Sequence, residues 1–576
     1  MKYLTEALRK YRKESILAPL FKMLEACFDL LVPAMVALIV NRGIAEGDNG
    51  YILRMVLVLL GMALVGLACA LTAQYFAARA AIGSASSLRE RLFRHIQSLS
   101  WSQADQLGTS TLITRMTSDV NQVQSGVNMF LRLFLRSPFV VAGALVCAFL
   151  IDRQVAGIFA LAIAGMAAVV VTVMRITMPR YRTIQGRLDQ VTGATRENLS
   201  GVRVIRAFGM EEREITRFRS LNALLTRGQL AVGRISALMN PLTLVVVNLG
   251  IIAVLRLGAA KVDSGVLHAG DVIALVNYMS QILVELVKLA NLVVTLSRAL
   301  ASLNRVEQVL DTAPDMTSPE TSPEADPGAP AVAFRQVSLR YAGAGAESLT
   351  DLSFTAQSGE TIGVIGATGS GKSSLVQLIA RFYDATEGTV SLFGHPVASY
   401  ARDTLRHMVG IVPQKAQLFT GTVRSNLCWG KEDATEEELW AALRAAQAED
   451  FVRAKPGGLD EPVEQGGRNF SGGQRQRLTI ARALVGKPPI LILDDSASAL
   501  DYATDAALRK ALAGLDWQVT VFIVSQRTTS LRQCDRILVL EDGRLAGQGT
   551  HETLLRDCPE YREIHESQYQ KGDARA

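Results

Sequence analysis

Residues Gly366-Ala367-Thr368-Gly369-Ser370-Gly371-Lys372-Ser373 follow the pattern G-x-x-x-x-G-K-[ST]. Glycines at this spacing let successive backbone N–H groups turn inward onto phosphate oxygens that a Cβ would obstruct. Lys372 would reach the outer phosphates, and the Ser373 hydroxyl would ligate Mg²⁺. The apolar run Thr361 to Ile365 predicts a buried strand entering the loop, and Ser374 to Tyr383 predicts a helix whose positive N-terminal end faces the phosphates. The phosphate-binding candidates are therefore Gly366, Thr368, Gly369, Ser370, Gly371, Lys372, Ser373 and Ser374. Farther along, Ile490-Leu491-Ile492-Leu493-Asp494 is an apolar strand with a carboxylate at its tip, placed to hold Mg²⁺ through water.

The elements that carry this chemistry sit in an apolar chain. Of its 576 residues, 49% are hydrophobic, and the mean hydropathy is +0.21. Uncharged runs occur at Met55 to Phe76, Gln154 to Met174 and Ile235 to Leu255, each reaching the roughly 18 to 20 residues that cross a bilayer as helix. Weaker spans at about 16–40, 131–151 and 271–297 bring the expected number to six. Arginine and lysine crowd the N-terminus and the connections after spans two and four, whereas the opposite connections are short and poor in them. The positive-inside rule then places both termini in the cytoplasm, on the inner membrane of the cell. The pI near 9.0 follows from these flanks, so it points to no nucleic-acid partner. Six scattered cysteines lack metal-ligand spacing and read as apolar fillers.

Residues 80–130 and 176–234 are too long for turns and carry helical periodicity with few breakers. They predict helical hairpins reaching far into the cytoplasm, with candidate tips at Ser110 to Asp119 and Arg196 to Glu212. From Asp311 to Pro330 the chain holds five prolines among acidic and hydroxyl residues, a composition that builds a linker and no core. The expected domains are 1–310, membrane; 311–331, linker; and 332–576, nucleotide-binding. The expected fold class is a membrane all-α domain of six long transmembrane helices followed by an α/β P-loop nucleotide-binding domain.

About a hundred residues after the phosphate loop come Asn469-Phe470-Ser471-Gly472-Gly473-Gln474. The SGGQ stretch resembles the signature of ATP-binding-cassette (ABC) ATPases. The resemblance implies that Tyr341, 25 residues before Gly366, stacks on adenine, and that Gln414 of Ile411-Val412-Pro413-Gln414 joins the Mg²⁺ shell with Ser373 and Asp494. It implies that Ser471, Gly472, Gly473 and Gln474 bind ATP held by another subunit. It also makes Ser498-Ala499-Leu500-Asp501 the D-loop, Glu464 a contact of a coupling helix, and the two hairpin tips coupling helices.

Two positions depart from that pattern. Where the family has a catalytic glutamate after the Walker B strand, this chain has Asp495, and where it has a switch histidine, this chain has Gln526. Aspartate is one methylene shorter, about 1 to 1.5 Å short of a water it must hydrogen-bond, and misplacement on that scale costs about a hundredfold. Glutamine lacks the imidazole's shape and protonation chemistry. Over nearly the whole chain this resembles the degenerate half of bacterial heterodimeric ABC multidrug exporters, in which one subunit has a weakened Walker B and switch but an intact signature. The implied function is ATP-driven export by a type IV half-transporter, with ATP and Mg²⁺ as cofactors, a homologous non-identical subunit as partner, and hydrolysis mainly at the partner's Walker site. A weakly hydrolysing homodimer exporting lipid or peptide is the alternative. Few charged residues in the spans fit a hydrophobic or amphipathic substrate. Among those few, Glu285 with Gln281 has two readings: ion pairing that holds helices together, or attraction of cationic amphiphiles.

Overall fold

The computed structural model describes residues 1–569 other than 497 and 499, and the chain divides into two compact units. The first comprises Met1–Gln97 and Ser110–Thr312; the second comprises Ser98–Thr109 and the residues from Ala313 onward.

In the first unit, six helical segments are long and apolar enough to cross a membrane: Arg12–Ile44, Asn49–Ser98, Thr109–Ile151, Arg153–Ser200, Glu211–Asp263 and Ala269–Leu310. The 50 residues of Asn49–Ser98 extend about 75 Å at 1.5 Å per residue, more than twice a hydrocarbon core of about 30 Å. Each long helix therefore spans and continues beyond the bilayer. Leu57, Leu64 and Leu71, spaced two turns apart on one face, are 58%, 61% and 63% exposed, which is stable only where the solvent is lipid. Between helices, small residues permit close approach. A Cβ on Gly126 would stand 2.2 Å from the Ala299 Cβ.

One group of ionisable residues in these spans is paired within itself. Arg136 is buried and donates to Glu285 and, at 2.7 Å, to Asp29. Glu285 also accepts from Ser137 Oγ at 2.7 Å and Lys288 Nζ at 2.8 Å. The ion-pairing reading of Glu285 is the one the structure bears out, and its carboxylate is not free to attract a cation.

Ser98–Thr109 corrects the first hairpin tip. The short tip helix is Trp101–Leu107, begun by a reciprocal capping box between Ser100 and Gln103 and ended by Gly108 at φ 74°. Ser110 to Asp119 instead belongs to the first unit, within the opening turns of the long segment Thr109–Ile151. At the second tip, Val202–Ala207 forms a short helix inside the expected range.

The second unit is built on two main sheets. A four-stranded antiparallel sheet runs in the order Leu349–Ala356, Val332–Leu339, Glu387–Leu392, His395–Pro396. A six-stranded sheet has the order Arg544–Gly549, Arg536–Glu541, Thr361–Gly366, Thr520–Val524, Ile490–Asp494, Val409–Val412, parallel except at its Arg544–Gly549 edge. Its central strands are buried on both faces, as parallel strands flanked by helices must be. Register pairs Val524 with both Val364 and Asp494. The chemistry-bearing turns thus emerge together at the carboxyl end of the sheet, where open α/β sheets bind ligands.

Candidate nucleotide site

Strand Thr361–Gly366 delivers the phosphate loop, and helix Lys372–Ile379 begins immediately after it. At Gly371 the backbone has φ 93°, and a Cβ would stand 2.6 Å from the Ser348 carbonyl oxygen, so only glycine fits. Gly366 and Ser370 lie buried beneath the loop. Thr368, Gly369, Gly371, Lys372, Ser373 and Ser374 face a cavity of about 260 Å³. The helix is shorter than its sequence suggests. It stops at Ile379, and Arg381 takes φ 51°, which carries Phe382 and Tyr383 out of the helix.

The far wall of the same cavity is formed by Gln414, Asp494, Asp495 and Gln526. Ser373 Oγ donates to Asp494 Oδ1 at 3.1 Å. The pair sets a hydroxyl and a carboxylate side by side, the oxygen donors that Mg²⁺ takes, with Ser373 placed to bind the ion and Asp494 to reach it through water. Burial, with the nearby Asp495 charge, pushes the Asp494 carboxyl above the usual aspartate range. Burial lowers the Lys372 ammonium, against the attraction of Asp495 and Asp494. Lys372 Nζ donates to the carbonyls of Gly366 at 2.9 Å and Ala367 at 2.7 Å. The pocket thus sets two carboxylates against one ammonium, so a polyphosphate enters favourably only with a divalent cation, and Ser373 with Asp494 fits Mg²⁺.

Asp495 is held by its own backbone. Its N–H donates to Val524 O at 3.1 Å, Ser498 Oγ donates to its carbonyl at 2.8 Å, and its φ is 47°. Aspartate tolerates this left-handed conformation better than most residues. Gln414 Nε2 donates to Asp495 Oδ2 at 3.3 Å. Gln526 is fixed through its main chain, whose carbonyl accepts from Gln568 Nε2 at 2.7 Å. The same Gln568 amide accepts from the Thr528 N–H at 3.0 Å through its oxygen.

Other expected residues lie outside this cavity. Tyr341 is half-buried: its hydroxyl lies 2.9 Å from Ser374 Oγ and 3.2 Å from Gln377 Oε1, and burial raises its phenol. Ser471 caps helix Gly472–Val485 in a capping box with Gln474, leaving an exposed helix start at Ser471 and Gly472 with Gly473 half-buried in the first turn. Asp501 caps helix Tyr502–Ala513, accepting from the Thr504 N–H at 2.8 Å; that N–H and the Thr504 hydroxyl hold its carboxyl below the usual range. Ala499 of the D-loop stretch lies outside the described residues. Glu464 is exposed and precedes the short turn Gln465–Gly467, its main-chain carbonyl accepting from the Gly467 N–H at 2.7 Å.

Sequence reasoning missed Ser348, which lines the pocket from a strand edge, and Gln568, whose role depends on a contact 42 residues away. Neither carries a motif.

Residues 15–286 match the family model described as ABC transporter transmembrane region, and residues 349–498 match the model described as ABC transporter. An uncharacterized ABC transporter ATP-binding protein of Mycobacterium tuberculosis is 36% identical, over 98% of this chain and 97% of that protein. An ATP-dependent lipid A-core flippase of Syntrophus aciditrophicus is 32% identical over 84% of this chain and 80% of its own length. A solved bacterial Atm1-family ABC exporter with ATP bound superposes with TM-score 0.81 at 25% identity, covering 97% of this chain and 98% of that one.

Proposed function

Since the chain belongs to the ABC transporters, as a type IV exporter half with one six-helix membrane domain and one ATPase domain, we propose that it is the degenerate-site subunit of a heterodimeric exporter in the cytoplasmic membrane, both termini inside. The observation that carries this is the far wall of the pocket. Asp495 and Gln526 stand beside an otherwise complete set of phosphate and Mg²⁺ groups. The site would hold MgATP through the loop backbone, Lys372, Ser373 and Asp494, with Gln414 near the ion and Tyr341 under the base. Mg²⁺ supplies charge neutralisation for the phosphates. Asp495 is too short to bring a water onto the outer phosphate, and Gln526 offers a neutral amide where an imidazole would be needed.

The helix start at Ser471 to Gly473 would close on ATP bound by the partner, so hydrolysis there resets the cycle. Glu464 and the short helices Trp101–Leu107 and Val202–Ala207, in the coupling roles that the resemblance implies, would transmit closure to the spans. The cargo class is hydrophobic or amphipathic, and the likeness to a lipid A-core flippase favours a lipid. Native mass measurement of the complex purified through a tag on this chain tests the pairing. The expected species holds one copy of this chain and one homologous subunit of different mass; a dimer of two copies would replace this reading with the homodimeric one.

A further inference from the structure

The tip helix Trp101–Leu107 lies far in sequence from the nucleotide loop, yet it reaches Tyr341 through side chains of a single unit. Trp101 stacks on Phe382 with ring centroids 5.0 Å apart and planes 16° apart. Gln103 Nε2 donates to the Ala313 carbonyl at 2.6 Å. Asp105 Oδ2 accepts from the Tyr383 hydroxyl at 3.0 Å. Tyr383 in turn meets Tyr341 edge to face, centroids 4.9 Å apart and planes at 86°, the arrangement that aromatic quadrupoles favour. At its other end the Tyr341 phenol is tied to the phosphate-loop helix. An amide oxygen only accepts, so the Tyr341 proton goes to Gln377 Oε1 at 3.2 Å and Ser374 Oγ donates back at 2.9 Å.

We propose that Asp105 and Tyr383 are positioning residues for the base subsite: the tip helix, through Asp105, fixes the Tyr383 ring, and Tyr383 fixes the plane that Tyr341 offers to adenine. This rests on the reading of Tyr341 as the base-stacking residue. A tyrosine tied only through its hydroxyl can still rotate about the axis of its ring. A second ring packed edge-on removes that freedom before nucleotide arrives, and pre-ordering of this kind shows as affinity. The turn that makes the contact possible is the left-handed Arg381, just past the end of the phosphate-loop helix, which swings Phe382 and Tyr383 toward the tip helix.

The test uses the full-length purified complex with two probes, the non-hydrolysable adenine nucleotide AMP-PNP and inorganic tripolyphosphate, each with Mg²⁺. Tyr341→Ala, Tyr383→Phe, Asp105→Ala and the combinations with Tyr341→Ala are compared. Loss of one positioning hydrogen bond should weaken AMP-PNP about three- to tenfold and leave tripolyphosphate within about twofold. Neither change should add to the loss already caused by Tyr341→Ala. Equal weakening of both probes, or full additivity with Tyr341→Ala, would overturn the assignment and make Asp105 and Tyr383 general supports of the domain. If Tyr341→Ala itself weakens both probes equally, the base-stacking role of Tyr341 fails and the positioning role falls with it. If only Tyr341→Ala discriminates between the probes, the stacking role stands and the positioning role is refuted.

Discussion

Two clusters of ionisable residues, one in each unit, differ in how completely they satisfy themselves. In the membrane domain Lys22, Arg136 and Lys288 face Glu25, Asp29 and Glu285, three cations against three carboxylates. In the nucleotide pocket Asp494 and Asp495 face, among the described lining residues, one cation, Lys372, and that ammonium is turned onto loop carbonyls. The saturated cluster, its charges matched one for one, ties the spans together, although Arg136 Nε within it and the neighbouring Gln281 Oε1 are buried without a partner among the described residues. The unsaturated one carries an excess carboxylate and a displaced ammonium, the condition of a site that waits for a divalent cation and phosphates.

Breaking the saturated cluster should have the largest effect. Arg136→Leu leaves Glu285 buried beside Ser137 and Lys288 without its main partner, at a cost of about 3 to 5 kcal/mol. Arg136→Leu combined with Glu285→Leu should recover most of that loss, since two apolar side chains can replace a buried ion pair. Thermal unfolding of the detergent-solubilised complex reads both. A double variant no more stable than the single one would show that Glu285 is held by something other than Arg136.

Next in size is an asymmetry between parts of this chain's own ATPase domain. Gly473→Asp puts a carboxylate where the partner's ATP is expected, and should reduce steady-state turnover by about a hundredfold or more. Asp495→Asn, confined to the site proposed as non-catalytic, should reduce it by less than about threefold. Comparable losses from the two would contradict the division of labour.

A smaller effect sharpens the electrostatic contrast. Burial raises the Asp494 carboxyl, so the folded state holds that proton more tightly than the unfolded chain. Nucleotide-free stability should therefore fall as pH rises from the ordinary aspartate range through the raised value, and be flat above it. Asp494→Asn removes this contribution. It should raise the melting temperature of the nucleotide-free protein at neutral pH by a few degrees while weakening Mg²⁺-dependent nucleotide binding. Loss of stability in the variant would mean that the pocket is saturated after all.

What the sequence made legible follows from how far its signals reach. The phosphate loop, its strand and its Mg²⁺ hydroxyl are contiguous, so glycine spacing alone located Gly371, Lys372 and Ser373. The six spans were legible because lipid imposes long apolar runs. The saturation of Glu285 was hidden because Arg136 is 149 residues away, and no local pattern distinguishes a paired carboxylate from a free one. The first hairpin tip was placed about ten residues too late. Its markers, Ser100 with Gln103 and Gly108, were present, but helical periodicity ran on through Ser110 to Asp119 and outweighed them. Gln568 and Asp105 were invisible for the same reason as Arg136: each acts across a fold on a partner that no spacing rule connects to it.

The central claim is that Asp495 and Gln526 form a site that holds ATP without cleaving it at a useful rate. Single-turnover cleavage, measured in a complex whose partner carries Glu→Gln at its own catalytic position, tests this most directly. With this chain unmodified, ATP should remain bound and uncleaved over many normal turnover times. Asp495→Glu alone should recover little, because Gln526 still lacks the imidazole and the backbone at φ 47° suits aspartate. Asp495→Glu with Gln526→His should give measurable cleavage. Rapid cleavage by the unmodified chain would show a competent site, and the asymmetric account would be wrong.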